Sequence, residues 1–285
     1  MIPSNSPFES HGHQPTPIPP PLQQPPYRGP GRAFAPTRPW WGMGDIALGF
    51  VFFLAVTFVG SLAALFFVPL DDLVSYTTAE GSIEVPFGFL AVSLVFQQLS
   101  QGAWPFIVST WKGLGPVADW RLRFQPADIG IGVGVAIIGL AGATLAGLIA
   151  SSLVGLTDET SADNTQILRD AEGTPWLAVI LFSVVIGAPL TEELFFRGLT
   201  LRAIEKRLGR VWAVILSSLV FTLPHWIGTD WRGTVTLFAS IFVVGLVLGA
   251  ATVITNRISS AIIAHMIFNA FGAAGALGYF DALVT

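Results

Sequence analysis

The sequence predicts an all-α, polytopic transmembrane helical bundle of about seven spans, preceded by a disordered proline-rich tail. Three observations predict it. Hydrophobic residues make up 52% of the 285 residues and charged residues only 11%, less than half the globular norm of roughly 25%. So few charges cannot cover a soluble surface. The charges that exist fall between long uncharged runs, as in a chain that crosses a bilayer repeatedly. Basic residues also recur in alternate inter-run segments. With no cysteine, a disulfide framework, a thiol nucleophile and a thiolate metal site are excluded. No basic, aromatic-interleaved patch points to nucleic acid.

Residues 1–39 hold 12 of the chain's 20 prolines. A segment so short of backbone donors and apolar periodicity reads as a solvated, partly polyproline-II arm. It lacks the charged and apolar regions of a secretory signal peptide. No partner of this tail is legible. Residues 40–285 form the membrane domain.

Seven runs follow, at approximately 46–70, 85–111, 129–157, 173–204, 211–229, 233–256 and 258–281, each near or above the roughly 20 residues needed to span. Trp40, Trp41, Trp111, Trp120, Trp176, Trp212 and Trp231 sit at or just beyond their ends, as interfacial tryptophans do. In the second run Ser93, Gln97 and Gln101 recur every four residues, a polar stripe that should face the bundle interior. Gly130 and Gly134 in the third run, and Gly245 and Gly249 in the sixth, have the spacing that lets helix backbones approach closely.

Orientation follows from the basic residues. The tail, the second and fourth loops and Arg257 of the sixth hold 12 of the 14 Lys and Arg. The opposite side holds Arg169 and Arg232 beside Asp71, Asp72, Glu80, Glu84, Asp158, Glu159, Asp163, Asp170 and Glu172. The positive-inside rule then puts the N-terminus in the cytoplasm and the C-terminus outside. The chain reads as an integral membrane protein, of the plasma membrane if it is bacterial.

Ionisable side chains inside a span cost about 2.5–3.5 kcal/mol on insertion scales, so each is a functional hypothesis. Three runs carry them: Glu192, Glu193 and Arg197 in the fourth, His225 in the fifth, His265 in the seventh. Glu193 and Arg197 are spaced i,i+4 with the acid first, the favourable orientation for an intrahelical ion pair. Glu192 lies about 100° round the helix and has no partner at i+3 or i+4. His265 and Asn269 are again i,i+4 and point at one place. Pro189 removes the bond to the Val185 carbonyl and Pro224 the bond to Val220, loosening each helix beside its polar residue. At about 1.5 Å per residue, Glu192 lies about 21 Å from Lys206 and His225 about 22 Å from Arg210. Both depths fall inside a hydrocarbon layer of roughly 30 Å, giving a recessed polar site reached from the cytoplasmic side.

These segments resemble the CPBP family, the type II CAAX-prenyl proteases and bacteriocin-processing or self-immunity proteins also called Abi. The family pattern is EExxxR, then FxxxH, then HxxxN. Here it stands as Glu192-Glu193-xxx-Arg197, Phe221-xxx-His225 and His265-xxx-Asn269. The likeness covers roughly residues 85–281 and is most specific over 173–275. It implies an intramembrane endopeptidase acting on membrane-associated peptides or proteins, within the lipid bilayer. By this resemblance Glu192 is the base that activates water, His225 assists it, and His265 and Asn269 stabilise the oxyanion, with Glu193 and Arg197 as supporting ion pair. A carboxylate in an apolar cavity suits proton abstraction, and Asn and His donors suit developing negative charge. Glu192, His225 and His265 would also serve as a two-His, one-carboxylate zinc set, and no sequence feature selects a metal over metal-free glutamate catalysis.

Other intramembrane protease plans fit less well. No HExxH helix and no Gly-x-Ser nucleophile lies within a run. Gly42-Met43-Gly44-Asp45 spells an aspartyl-type signature, but no later run supplies a partner aspartate. Two non-enzyme readings stay open: a catalytically silent membrane scaffold or immunity protein, and a small proton-coupled transporter. The latter would normally show an internal repeat, and none is found between the halves.

Reporter fusions after Lys112 and after Asp158 should give opposite signals, cytoplasmic and then external. Equal signals at both points would defeat the seven-span reading.

Overall fold

A computed structural model describes residues 39–67, 86–155, 165–226 and 230–280. The chain divides into units 1–36 and 37–285. Apart from Pro39, the proline-rich tail lies outside the described residues, as do the acidic Asp71, Asp72, Glu80, Glu84, Asp158, Glu159 and Asp163 of the opposite side.

Among the described residues every regular element is helical: α1 (Met43–Ala64), α2 (Phe87–Lys112), α3 (Pro116–Asp119), α4 (Ala127–Val154), α5 (Gln166–Asp170), α6 (Leu177–His225), α7 (Trp231–Thr255) and α8 (Ser259–Ala276). Five of them, α1, α4, α6, α7 and α8, are long and apolar enough to cross a membrane. About seven were expected, and two of the expected runs are counted differently here. The fourth and fifth expected runs are the two arms of the 49-residue α6, which leaves helical geometry between them at Gly209 (φ 78°, ψ 176°), a backbone conformation that costs glycine no Cβ clash. The second run forms α2, whose Ser93, Gln97, Gln98, Ser100 and Gln101 make it too polar to count.

Helix ends follow local chemistry. Asp230 caps α7 by accepting from the Arg232 amide at 2.9 Å, satisfying a donor that a helix start leaves free. Asn256 ends α7 and Gly155 ends α4, both left-handed, the usual stop. At the start of α1, Asp45 accepts from the Gly42 amide at 2.9 Å and from Lys112 Nζ at 2.6 Å. The aspartate of the Gly-x-Gly-Asp string is thus a helix cap tied to α2.

In the bundle α4 packs against α7 and α8, α1 against α2, and α7 against the C-terminal half of α6. Residues 195–204 of α6 are all buried, so this stretch is central, with neighbours all round. α1 and α4 expose Leu54, Phe58, Ile137, Leu148 and Leu153, an apolar belt suited to lipid. Gly245 and Gly249 of α7 approach α6 at Ser218 and Val214. Gly130 and Gly134 do not approach another helix: a Cβ on either would meet nothing within 4 Å. One residue along, Gly132 does that work, where a Cβ would sit 2.8 Å from Ile263 Cβ on α8. The polar stripe of α2 lies within the bundle: Gln101 is buried and Ser93 meets Ser61 of α1 at 3.3 Å.

A carboxylate staples one end of the bundle. Asp128, fully buried at the start of α4, accepts from Arg257 Nη2 at 2.7 Å and Nε at 3.1 Å, and from Ser259 Oγ at 2.6 Å. It thereby ties α4 to the α7–α8 turn. Asp128→Ala leaves a guanidinium and a hydroxyl without their acceptor. It should lower stability by about 3 kcal/mol, the scale for breaking a buried pair, read as a fall in the thermal midpoint in detergent. An unchanged midpoint would deny the staple its role.

Candidate active site

The site is built on an irregular stretch of α6. Two π-helical segments, Ser183–Gly187 and Leu194–Thr200, flank the α-helical turn Ala188–Glu193. The first has a direct cause. Pro189 has no N–H, and one residue before it the Ala188 amide donates to Ser183 O in the five-residue register. That register aims the Val184 carbonyl at Pro189, which cannot donate. Val184 O is therefore left without a helical donor, beside the Val185 carbonyl that α-helical spacing already deprives of one. Asn269 Nδ2 of α8 donates to it at 2.8 Å. Gln98 Nε2 of α2 donates to Ser183 O at 2.9 Å, and a Cβ on Gly187 would collide with that Gln98 side chain. Wide helical turns of this kind commonly mark functional sites.

The ionisable groups meet on the next turn. Glu193 and Arg197, 0% and 1% exposed, pair at 2.8 Å. Arg197 Nη2 also donates to Gly245 O of α7 at 3.2 Å, and its guanidinium lies 4.3 Å from the Phe221 ring centroid. Glu193 Oε1 takes a second partner, His265 Nδ1 of α8, at 3.0 Å. Because a carboxylate already engaged by Arg197 only accepts, His265 Nδ1 is the donor. Its Nε2 then points the other way, to Glu192 Oε2 at 3.9 Å. Glu192 is half-buried, its side chain 14% exposed, and it turns away from the Glu193–Arg197 pair.

His225 stands in the 3₁₀ turn that ends α6, where its Nδ1 donates to Phe221 O at 3.0 Å. A carbonyl only accepts, so the Nε2 face is left for other chemistry. The rings of His225 and His265 both pack edge-on against Phe221, at 5.1 and 5.8 Å. Phe221 is thus the common wall of the site, touched by both histidines, by Arg197 and by Phe196. Glu192, His265 and Arg197 are the charged or titratable groups that act on His225 through space.

The structure therefore gathers Glu192, Glu193, Arg197, His225 and His265 around one aromatic ring. It places Asn269 one helical turn from His265, anchored to α6. Sequence spacing did not reveal the Glu193–His265 bond, because it joins positions 72 residues apart. Among the described residues no three His, Asp or Glu side chains form a group arranged to hold a metal ion. In each ring Nδ1 is bonded within the protein and Nε2 is left over, and a carboxylate or carbonyl on the far nitrogen is also how a metal-binding imidazole is held.

An integral membrane protein with a carboxylate–histidine site recessed among its apolar helices is the class that fold and site define. Residues 174–271, which hold all of these side chains, match the family model of the type II CAAX prenyl endopeptidase Rce1-like proteins. That stretch is the one whose motifs resemble the CPBP or Abi family, and the match places a domain of this family at residues 174–271. No curated protein and no solved structure matches it.

Glu193→Gln removes the charge that Arg197 needs and weakens the acceptor of His265. It should cost about 3–5 kcal/mol, as for a broken buried pair. Glu193→Gln and Arg197→Gln made together should recover part of the loss, because neither charge is then left alone. Thermal unfolding of the two single variants and the double variant measures the coupling, and simple additivity would contradict it.

Proposed function

We propose that the protein is an intramembrane endopeptidase that hydrolyses peptide bonds of membrane-associated substrates with a water activated by Glu192. The observation that carries this reading is the pairing of unequal glutamates. Glu193 is fully buried and committed to Arg197 and His265, whereas Glu192 is half-buried and faces His265 Nε2 across 3.9 Å. That separation is too long for a direct hydrogen bond and is of the size that a bridging oxygen spans.

In the proposed reaction Glu192 takes a proton from water as the water oxygen bonds to the scissile carbonyl carbon. His225 assists through its free Nε2. The oxyanion that forms is met by the second N–H of Asn269 and by Nε2 of His265 when that ring carries both protons. The proton held by Glu192 then goes to the leaving amine as the carbon–nitrogen bond breaks. Phe221 and the Glu193–Arg197 pair hold the two imidazoles at fixed angles, which keeps this geometry pre-organised.

Substrate class rests on the surroundings. A cavity of about 500 Å³ runs between α6 and α8, lined by Leu181, Phe182, Val185, Ile186, Ala273 and Leu277. It adjoins Val184 and Asn269 along the same two helices and is almost wholly apolar. Such a cavity suits the lipid-embedded part of a membrane-associated substrate. With the basic residues at the cytoplasmic end, as the positive-inside rule has it, the site faces the cytoplasm.

Glu192→Gln should abolish cleavage of a membrane-tethered reporter peptide by purified protein while leaving the thermal midpoint unchanged or raised, because a partly buried charge is gone. Retained cleavage in Glu192→Gln, with loss confined to Glu193→Gln at unchanged stability, would move the base to Glu193.

A further inference from the structure

A second polar site lies away from the glutamates, at the end of the bundle where the basic residues gather. Arg202 of α6 is only 7% exposed. Its Nη1 donates to Glu205 Oε2 at 2.7 Å, but its Nε and Nη2 are buried and have no hydrogen-bond partner among the described residues. Those two nitrogens form the side-on edge of the guanidinium, whose parallel N–H groups match two oxygens of one oxyanion. The protein uses the same edge elsewhere: Arg257 grips Asp128 through Nε and Nη2. In Arg202 the edge is buried and lacks an anion, an arrangement that costs free energy unless something fills it.

Arg202 lines a cavity of about 300 Å³ together with Arg121, Lys206 and Trp41. Two acids, Asp119 and Glu205, also line it, but both are engaged. Asp119 accepts from Ser109 Oγ at 2.7 Å, from Trp41 Nε1 at 3.3 Å and from the Leu114 amide at 3.1 Å. Glu205 is shared between Arg202 and Arg210, the latter at 3.4 Å. Lys206 Nζ lies 3.3 Å from the Trp41 ring centroid and donates to Trp41 O, which fixes it at the cavity wall. The cavity thus keeps a surplus of positive charge. Leu114 and Val117 are exposed beside it, apolar residues at a level where a bilayer's headgroups would meet the protein.

We propose that this cavity binds a phosphate oxyanion, held side-on by Arg202 Nε and Nη2 with Arg121 and Lys206 as further cations, and that the phosphate is the headgroup of an anionic phospholipid. Exposed apolar residues next to a basic pocket favour a lipid over a soluble source, since they give the acyl chains a surface to lie on.

The test uses the full chain in nanodiscs of phosphatidylcholine with and without phosphatidylglycerol, and inorganic phosphate as the soluble probe. Native mass spectrometry reads retained lipid and thermal unfolding reads the midpoint. The parent should retain phosphatidylglycerol and gain stability from it. Arg202→Lys keeps the charge but loses the fork, and should bind it about tenfold more weakly, the scale for one lost bidentate charge-assisted pair. Arg121→Gln, at an exposed position on the cavity wall, should weaken retention as well, with an unchanged thermal midpoint in phosphatidylcholine alone as the check that it is folded. A response to inorganic phosphate that matches the lipid response and disappears in Arg202→Lys would overturn the lipid source while supporting the oxyanion site. Equal retention by the parent and both variants overturns the proposal.

Discussion

The site depends on a guanidinium that has no access to water. Arg197, at 1% exposure, could not persist there uncompensated, because an unpaired buried charge costs several kcal/mol. Each compensating group comes from a different part of the chain. Glu193 supplies the countercharge from one turn earlier, Gly245 of α7 a carbonyl, and Phe221 an aromatic face. Satisfying the cation therefore fixes the relative positions of both arms of α6 and of α7. The same carboxylate oxygen that pairs with Arg197 also receives His265 Nδ1, which adds α8. One buried charge thus sets the rotation of an imidazole that lies on another helix.

That arrangement separates two adjacent, chemically identical side chains. Glu193 loses its freedom to Arg197 and His265. Glu192, about 100° further round, is less buried and lies across 3.9 Å from His265 Nε2. The imidazole is held between a structural carboxylate and an available one, in the way that outer partners fix ring orientation at many histidine sites. Adjacent glutamates therefore differ in burial and partners because the helix turns between them. Their different proposed roles follow from that turn.

Legibility of the chain in its sequence tracks how local each feature is. The helical class, the long apolar helices and the burial of Glu193 beside Arg197 were readable because composition and i,i+4 spacing act within one segment. Phe221 was readable only as part of a spacing; its place as a wall shared by two histidines needs three helices together. Five apolar helices stand where about seven spans were read, because α6 carries two runs that meet at the Gly209 corner and a polar face lowers the hydropathy of α2. Gly130 and Gly134 had the right spacing on the wrong face, since the neighbouring helix α8 approaches Gly132, which lies between them. The bond from Asn269 to Val184 was hidden because it requires knowing that the helix before Pro189 has widened to a five-residue register.

That last bond has a consequence for residue choice. The amide of Asn269 has two N–H groups on one nitrogen. One is spent on Val184 O at 2.8 Å, which anchors α8 to the widened turn of α6 and fixes the plane of the amide. The second N–H is then directed by the first, so the proposed oxyanion donor needs no separate support. An aspartate has the shape but, ionised, no donor. A serine has a single hydroxyl proton and could serve only one of the two acceptors. A glutamine has both donors but carries them one carbon further from the helix. The widened turn and the asparagine therefore belong together: Pro189 displaces the bond register, the register orphans a carbonyl, and that carbonyl aims the amide.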